Sequence, residues 1–249
     1  LEPLRARLDR LRLRVPDLDA AGAALDHLGF ATVPLGATAW RGVAFAFEHL
    51  EFEPAATPAL AAVGLVDTAE RAAANDAAPA TREIIGDARL AFAETPLAAG
   101  ELPLVRARTL TPETLRPAAA LRHPNGALAL TGATCVVADP EPVAHALADL
   151  FGEAAITRTD TIVAFRQAGA TLLLASASDA ELLHPDLTCT LDDPVPAPRI
   201  VAIAIAVADT THTAETLTSR GQPVRRRADG SLGTAAAALG LSLEFHPAA

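Results

Sequence analysis

The side chains in this sequence that could move a proton, attack a carbon or hold a metal are few and scattered. Seven histidines, two cysteines and one tryptophan are present, and tyrosine is absent. His123 is the most distinctive histidine, because it opens the run His123-Pro124-Asn125-Gly126-Ala127. One use for it is a ligand contact at a domain junction. The plainer use is a connector turn, in which Asn125-Gly126 supplies a positive φ. His27, His145 and His212 fall in helical stretches and read as packed or half-exposed helix residues. His184 and His246 each precede a proline, one in linker-like sequence and one in the tail. No His-x-His or His-x₃-His pair exists to set two imidazoles on one metal. Cys135 and Cys189 allow at most one intrachain disulfide and lack CxxC spacing. Cys135, inside the apolar run 133–138, reads as a buried, inert thiol. Trp40, followed by Arg41, stands just before a strand-like stretch, where it either lines a pocket or fills the gap between helix and sheet. The G-x-S-x-G, Walker A and G-x-G-x-x-G patterns are all missing, so serine-hydrolase, P-loop and dinucleotide chemistry lack support.

The bulk properties narrow the partners. Hydrophobic residues make up 51% of the 249 positions and charged ones 20%, which is enough to bury a core. Alanine, leucine, valine and isoleucine must build it, because there are only 8 phenylalanines. The formal charge of −10 repels phosphate backbones and anionic lipid, and the short basic run Arg225-Arg226-Arg227 does not overturn that. The scarcity of aromatics also argues against base stacking. We therefore expect no nucleic-acid partner and no membrane partner; net charge alone gives a cationic small ligand little weight. No apolar stretch reaches the roughly 18 residues of a membrane span, and residues 1–14 show no signal-peptide core. A cytoplasmic location is expected. The chain begins at Leu1 and contains no Met, so a start upstream is expected as well.

The elements that must position these residues come from a repeat. Leu11-Arg12-Leu13-Arg14-Val15-Pro16-Asp17 leads into an Ala/Leu helix and then Gly29-Phe30. Ala133-Thr134-Cys135-Val136-Val137-Ala138-Asp139 leads into a second helix and Gly152. Ile203-Ala204-Ile205-Ala206-Val207-Ala208-Asp209 leads into a third and Gly221. The Asp-to-Gly spacing is nearly constant. A weaker copy runs from Val63-Gly64-Leu65-Val66-Asp67 to Pro79. Each Asp is placed to cap a helix through its free N–H groups, and each Gly to end one with a positive φ. Strand-like stretches follow at 44–52, 89–93 with 102–106, 162–165 with 171–175, and 242–245. The unit is βαβββ, and four of them imply an α+β architecture with helices packed on curved mixed sheets. The boundaries expected are a first domain at 6–110, a connector at 111–128 and a second domain at 129–249. The second contains a proline-rich linker at 182–198.

Leu8-Asp9-Arg10-Leu11-Arg12-Leu13-Arg14-Val15-Pro16-Asp17-Leu18-Asp19-Ala20-Ala21 with Leu28-Gly29-Phe30 resembles the opening of glyoxalase-like, vicinal-oxygen-chelate proteins. His49-Leu50-Glu51-Phe52 resembles the strand that closes their first module. Leu110-Thr111-Pro112-Glu113 and His123-Pro124-Asn125-Gly126-Ala127 are similar to the connector of a tandem subgroup. The resemblance implies the glyoxalase/bleomycin-resistance-like fold. It says little about activity, since this fold carries isomerases, dioxygenases, epimerases, thiol transferases and drug-binding proteins. Homodimers are also common in the family.

The resemblance further implies a metal-site register, and the sequence departs from it. Metal-using members place His or Gln on the first strand of each module and Glu on the last. The first-strand position here reads Arg10, Leu60, Gly132 and Ala202, and the last-strand position reads Glu51, about Leu102, about Leu173, and Glu244. Arginine donates only and cannot be a ligand. No metal and no cofactor are therefore expected. Arg10 and Glu51 would face one cavity, either orienting a carboxylate or amide ligand or standing as a structural ion pair in place of the metal. Glu244 reads most simply as a strand-end carboxylate in solvent. The candidate ligand contacts are Arg10, Trp40, Arg41, Glu51, His123 and Glu244. Three functions fit: metal-free small-molecule binding in a concave sheet cavity, taken first; a metal-free lyase or isomerase; and a degenerate scaffold for oligomerisation.

Overall fold

Strand β1 (Ala6–Val15) sets the plan, because its residues alternate between two environments. Leu11, Leu13 and Val15 join the buried apolar cluster, whereas Arg10, Arg12 and Arg14 point the other way and make ion pairs. A strand has period two, so this alternation commits one face of the sheet to apolar packing and the other to charge. The structure, a computed structural model, describes residues 4–35, 40–45, 48–67, 80–85, 88–109, 118–185, 191 and 198–248. Within these, it leaves undescribed the side chains of 33–35, 40–41, 67, 80–85, 88–93 and 108–109.

After β1 come helix α1 (Leu18–His27) and strands β2 (Thr32–Leu35), β3 (Trp40–Ala44) and β4 (His49–Pro54). Then follow β5 (Ala59–Asp67), β6 (Ala80–Ile85), β7 (Ala88–Leu97) and β8 (Leu104–Thr109). These eight strands form one sheet, in the order β2-β3-β4-β1-β5-β8-β7-β6. The next elements are β9 (Ala127–Val136), α2 (Pro140–Phe151), β10 (Ile156–Arg158), β11 (Ile162–Gln167), β12 (Ala170–Ala175) and α3 (Ala177–Leu183). The last are β13 (Arg199–Val207), α4 (Thr210–Ser219), β14 (Arg225–Arg226), β15 (Leu232–Ala236) and β16 (Leu241–Pro247). The second sheet has the order β10-β11-β12-β9-β13-β16-β15-β14, which maps strand for strand onto the first. In both, the first strand of the repeat runs parallel to its closing strand and antiparallel to the next repeat.

The expected caps are present. Asp17, Asp139 and Asp209 are extended residues whose carboxylates accept from the first turns of α1, α2 and α4. Gly29, Gly152 and Gly221 follow those helices with φ of 80°, 85° and 77°. The residues where the weaker copy would place its helix, 68–79, lie outside the described residues. Two strand expectations are corrected. The stretch 44–52 is not one strand: β3 ends at Ala44 and β4 starts at His49. Leu102 precedes β8, which begins at Leu104. Strand β9 begins at Ala127, so the connector sequence runs directly into it.

Curvature and packing follow from the faces. A flat sheet of eight strands spaced about 4.8 Å apart would hold its edges about 34 Å apart. The edge strands β2 and β6 instead come within 8 Å of each other, Cα to Cα, so the first sheet curls towards a barrel. Its charged side is the inside. The apolar sides of both sheets and helices α1, α2 and α4 share one core. Leu11 and Val63 of the first sheet and Ala133 and Leu172 of the second line one narrow crevice where the two sheets meet. No helix among the described residues is long and apolar enough to cross a membrane.

The His-Pro-Asn-Gly run fastens the two halves. Asn125, fully buried, donates from Nδ2 to Leu28 O (2.9 Å) and accepts at Oδ1 from Ala127 N (3.0 Å). Its carbonyl accepts from Thr213 Oγ1 (2.8 Å), which ties the end of α1 to the start of α4. His123 Nδ1 accepts the Ala31 N–H (3.1 Å), which leaves its Nε2–H to donate to Ala44 O (2.9 Å). Phe30 and Phe45 flank the ring. Burial pushes the His123 imidazole below its ordinary pKa of 6.5, and the hydrogen bond to Ala44 only partly opposes that effect. As pH falls through 6.5, the unfolded chain therefore takes up its proton first, and stability drops. Urea unfolding should show the loss as a midpoint that falls between about pH 7 and 5. A His123→Gln variant should lack that component of the pH dependence.

Candidate functional site

The inner face of the first sheet carries a cluster of charges where the sequence placed a single pair. Arg10 on β1 and Glu51 on β4 are both 0% exposed. Arg10 Nη1 donates to Glu51 Oε1 (3.1 Å) and to Glu94 Oε1 (3.2 Å) on β7, and Nε donates to Asp9 Oδ2 (2.8 Å). Arg12, 12% exposed, donates from Nε to Glu51 Oε2 (2.8 Å) and from Nη2 to Glu94 Oε1 (2.8 Å). At the outer end of the ladder, Arg14 reaches Glu53 (2.8 Å). Register explains the order: in the parallel β1–β4 pair Arg12 lies opposite Glu51 and Arg14 opposite Glu53, and Arg10 leans across to share Glu51. Burial opposes the charge on Arg12, but Glu51 and Glu94 outweigh it and hold its pKa above the usual arginine value.

Room for Arg10 is made by a missing side chain. Gly64 on β5 lies opposite Arg10, and a Cβ there would stand 2.5 Å from Arg10 Cγ and 3.0 Å from Cδ. Side chain and cradle therefore fit a guanidinium. They do not fit a metal ion, because the group facing the carboxylates donates only and holds a fixed positive charge of its own. Among the described residues, no three His, Cys, Asp or Glu side chains are arranged to hold a metal.

The second sheet's inner face differs. Glu244 on β16 is not a solvent carboxylate, as expected from sequence, but only 9% exposed. His184 Nδ1 meets Glu244 Oε1 at 2.8 Å, and its Nε2 meets Thr134 Oγ1 at 2.7 Å. Arg227 Nη2 reaches Glu244 Oε1 at 2.7 Å. Burial pushes the Glu244 carboxyl up, but donors on His184, His246 and Arg227 outweigh it and hold it well below the usual carboxylate range. The start of the proline-rich stretch is also not linker: helix α3 runs to Leu183, and His184 is buried at once after it.

Of the six candidate contacts, the structure brings Arg10 and Glu51 together and sets Glu244 on the other sheet. His123 sits at the junction between the halves, bonded to backbone. Trp40 and Arg41 lie in β3, and their side chains fall outside the described residues. Several participants were missed, among them Arg12, Asp9, Glu94, His184 and Arg227. The period-two spacing from Arg10 could have found Arg12, but Asp9, Glu94 and His184 left no comparable signal. Cys135 is buried, and burial pushes its thiol up to about 12, as suits an inert core residue.

No protein-family model matches the sequence, and no curated protein matches it. Solved structures match its fold along nearly its whole length. A Mn(II)-bound glyoxalase from Novosphingobium aromaticivorans aligns with TM-score 0.60 at 12% identity, over 98% of this chain and 82% of that one. A mutant 4-hydroxymandelate synthase from Streptomyces coelicolor gives 0.57 at 14% identity, over 97% and 92%. A xylose isomerase-like TIM barrel/4-hydroxyphenylpyruvate dioxygenase fusion protein gives 0.55 at 13% identity, over 98% of this chain and 49% of its own. The chain has the glyoxalase-like, vicinal-oxygen-chelate fold.

The Gly64–Arg10 approach is testable by a double-mutant cycle. Gly64→Ala should cost about 1–3 kcal/mol through overpacking, measured by urea unfolding. In an Arg10→Ala background the same change should add almost nothing.

Proposed function

We propose that this chain, built on the vicinal-oxygen-chelate fold, is a metal-independent small-molecule-binding protein that uses the inner face of its first sheet. The observation that carries this reading is the buried Arg10 guanidinium. It stands at the first-strand position where the resemblance implies a metal ligand in metal-using members, and three carboxylates hold it there. A fixed guanidinium can orient a carboxylate or carbonyl oxygen through paired N–H groups. It supplies no open coordination position and activates no water. Recognition therefore falls to the less buried layer, where Arg12 and Glu94 (12% and 18% exposed) present a donor and an acceptor side by side. Such a pair suits a small ligand with both a carboxylate or amide oxygen and an N–H group. The overall charge of −10 adds a general attraction for a cationic one.

Elemental analysis and thermal melting with Mn²⁺, Ni²⁺, Zn²⁺ and Fe²⁺ test the metal-independent half. We expect sub-stoichiometric metal and an unchanged Tm. One metal per chain with a raised Tm would overturn the reading, because a bound ligand stabilises by mass action. A melting panel of amino acids, dicarboxylates and small amides tests the other half. A ligand that raises the Tm of the native protein should do so less in Glu94→Gln.

A further inference from the structure

The inner face of the second sheet is filled by a piece of the chain that belongs to neither sheet. Ala177 and Ala180 of α3, with Leu191, pack on Val136, Ala175 and Val201. The imidazole of His184 then passes between β16 and β9, bonded on one side to Glu244 and on the other to Thr134.

Three features separate this arrangement from ordinary core. Apolar packing does not require a buried carboxylate, yet Glu244 sits there with an imidazole and a guanidinium trained on it. Ser242, two residues earlier on the same face of β16, is fully buried, and its hydroxyl has no partner among the described residues. An orphaned buried hydroxyl leaves a hydrogen bond unmade. The helix of the filling segment also buries little apolar surface. It has seven residues, its deepest side chains are two alanine methyls, and Leu182 on its outer side is 81% exposed. Small side chains contribute little burial free energy, so releasing the segment costs less than opening a leucine core.

We infer that this face is a second small-molecule site, which the chain occupies with its own His184. The resident side chain defines the ligand class: a planar heterocycle with ring nitrogens, of imidazole type, on a short apolar body. Its ring N–H donates to Glu244, its other nitrogen meets the Thr134 hydroxyl, and Ser242 offers one further hydrogen bond. The apolar body replaces the alanines of α3 on Val136, Ala175 and Val201. This site stands independently of the first-sheet reading, since no residue is shared between the two faces.

Two measurements test it. In His184→Ala, imidazole should raise the Tm in a concentration-dependent way, and the rise should vanish in His184→Ala/Glu244→Gln. A folded His184→Ala protein whose melting ignores imidazole would overturn the site. In the native protein, 4-phenylimidazole should increase amide hydrogen exchange across 177–184 while protecting β16. Unchanged exchange at saturating 4-phenylimidazole would overturn displacement, and this arm needs no variant to fold. Either result leaves the metal and Glu94 measurements on the first sheet untouched.

Discussion

Among the described residues, Arg10 is the largest of the fully buried side chains, and its charge has to be answered within hydrogen-bond reach. Desolvating a guanidinium costs several kcal/mol, and removing one partner from such a buried cluster typically costs about 3–5 kcal/mol. That constraint organises the first sheet. Asp9 must sit beside Arg10 on β1, Glu51 on the parallel neighbour, and Glu94 on a strand that reaches the site only because the sheet curls. Gly64 must lack a side chain to admit the arginine stem. Arg12 then shares both glutamates, so the cluster acts as one unit and not as separable pairs.

The same fold leaves two inner faces with different fillings. The first is held by charge, from a floor at Arg10 to a rim at Arg14 and Glu53. The second is held by a short helix and one imidazole. In both, residues that belong to the sheet face inward as a repeat dictates, and the local sequence decides what meets them. Outside, the two sheets and three helices share a single apolar core, with Phe30 and Phe245 stacked across the halves at 6.3 Å. Asn125 supplies the polar counterpart of that contact, reaching both α1 and α4.

Much of the fold was legible, because its signals are local. The Asp caps and the positive-φ glycines are fixed by a few adjacent residues, and the alternation in β1 fixes its faces. Arg10 with Glu51 was legible through the family register. Glu94 was not, because its partners are more than eighty residues away and no spacing announces a contact across a curled sheet. His184 was missed for a different reason. His-Pro at the head of a proline-rich stretch reads as linker, and only the packing of α3 on the sheet shows that the ring is buried. Glu244 reads as a solvent carboxylate for the same reason, since the residue that covers it reads as linker.

We propose that Arg10 stands at the first-strand position where the resemblance implies a ligand in metal-using proteins. The most direct measurement is an anomalous difference map from crystals grown with Mn²⁺. We expect no peak between β1 and β4, with the guanidinium density running into Asp9, Glu51 and Glu94. A manganese peak on Glu51, with Arg10 swung away, would contradict it.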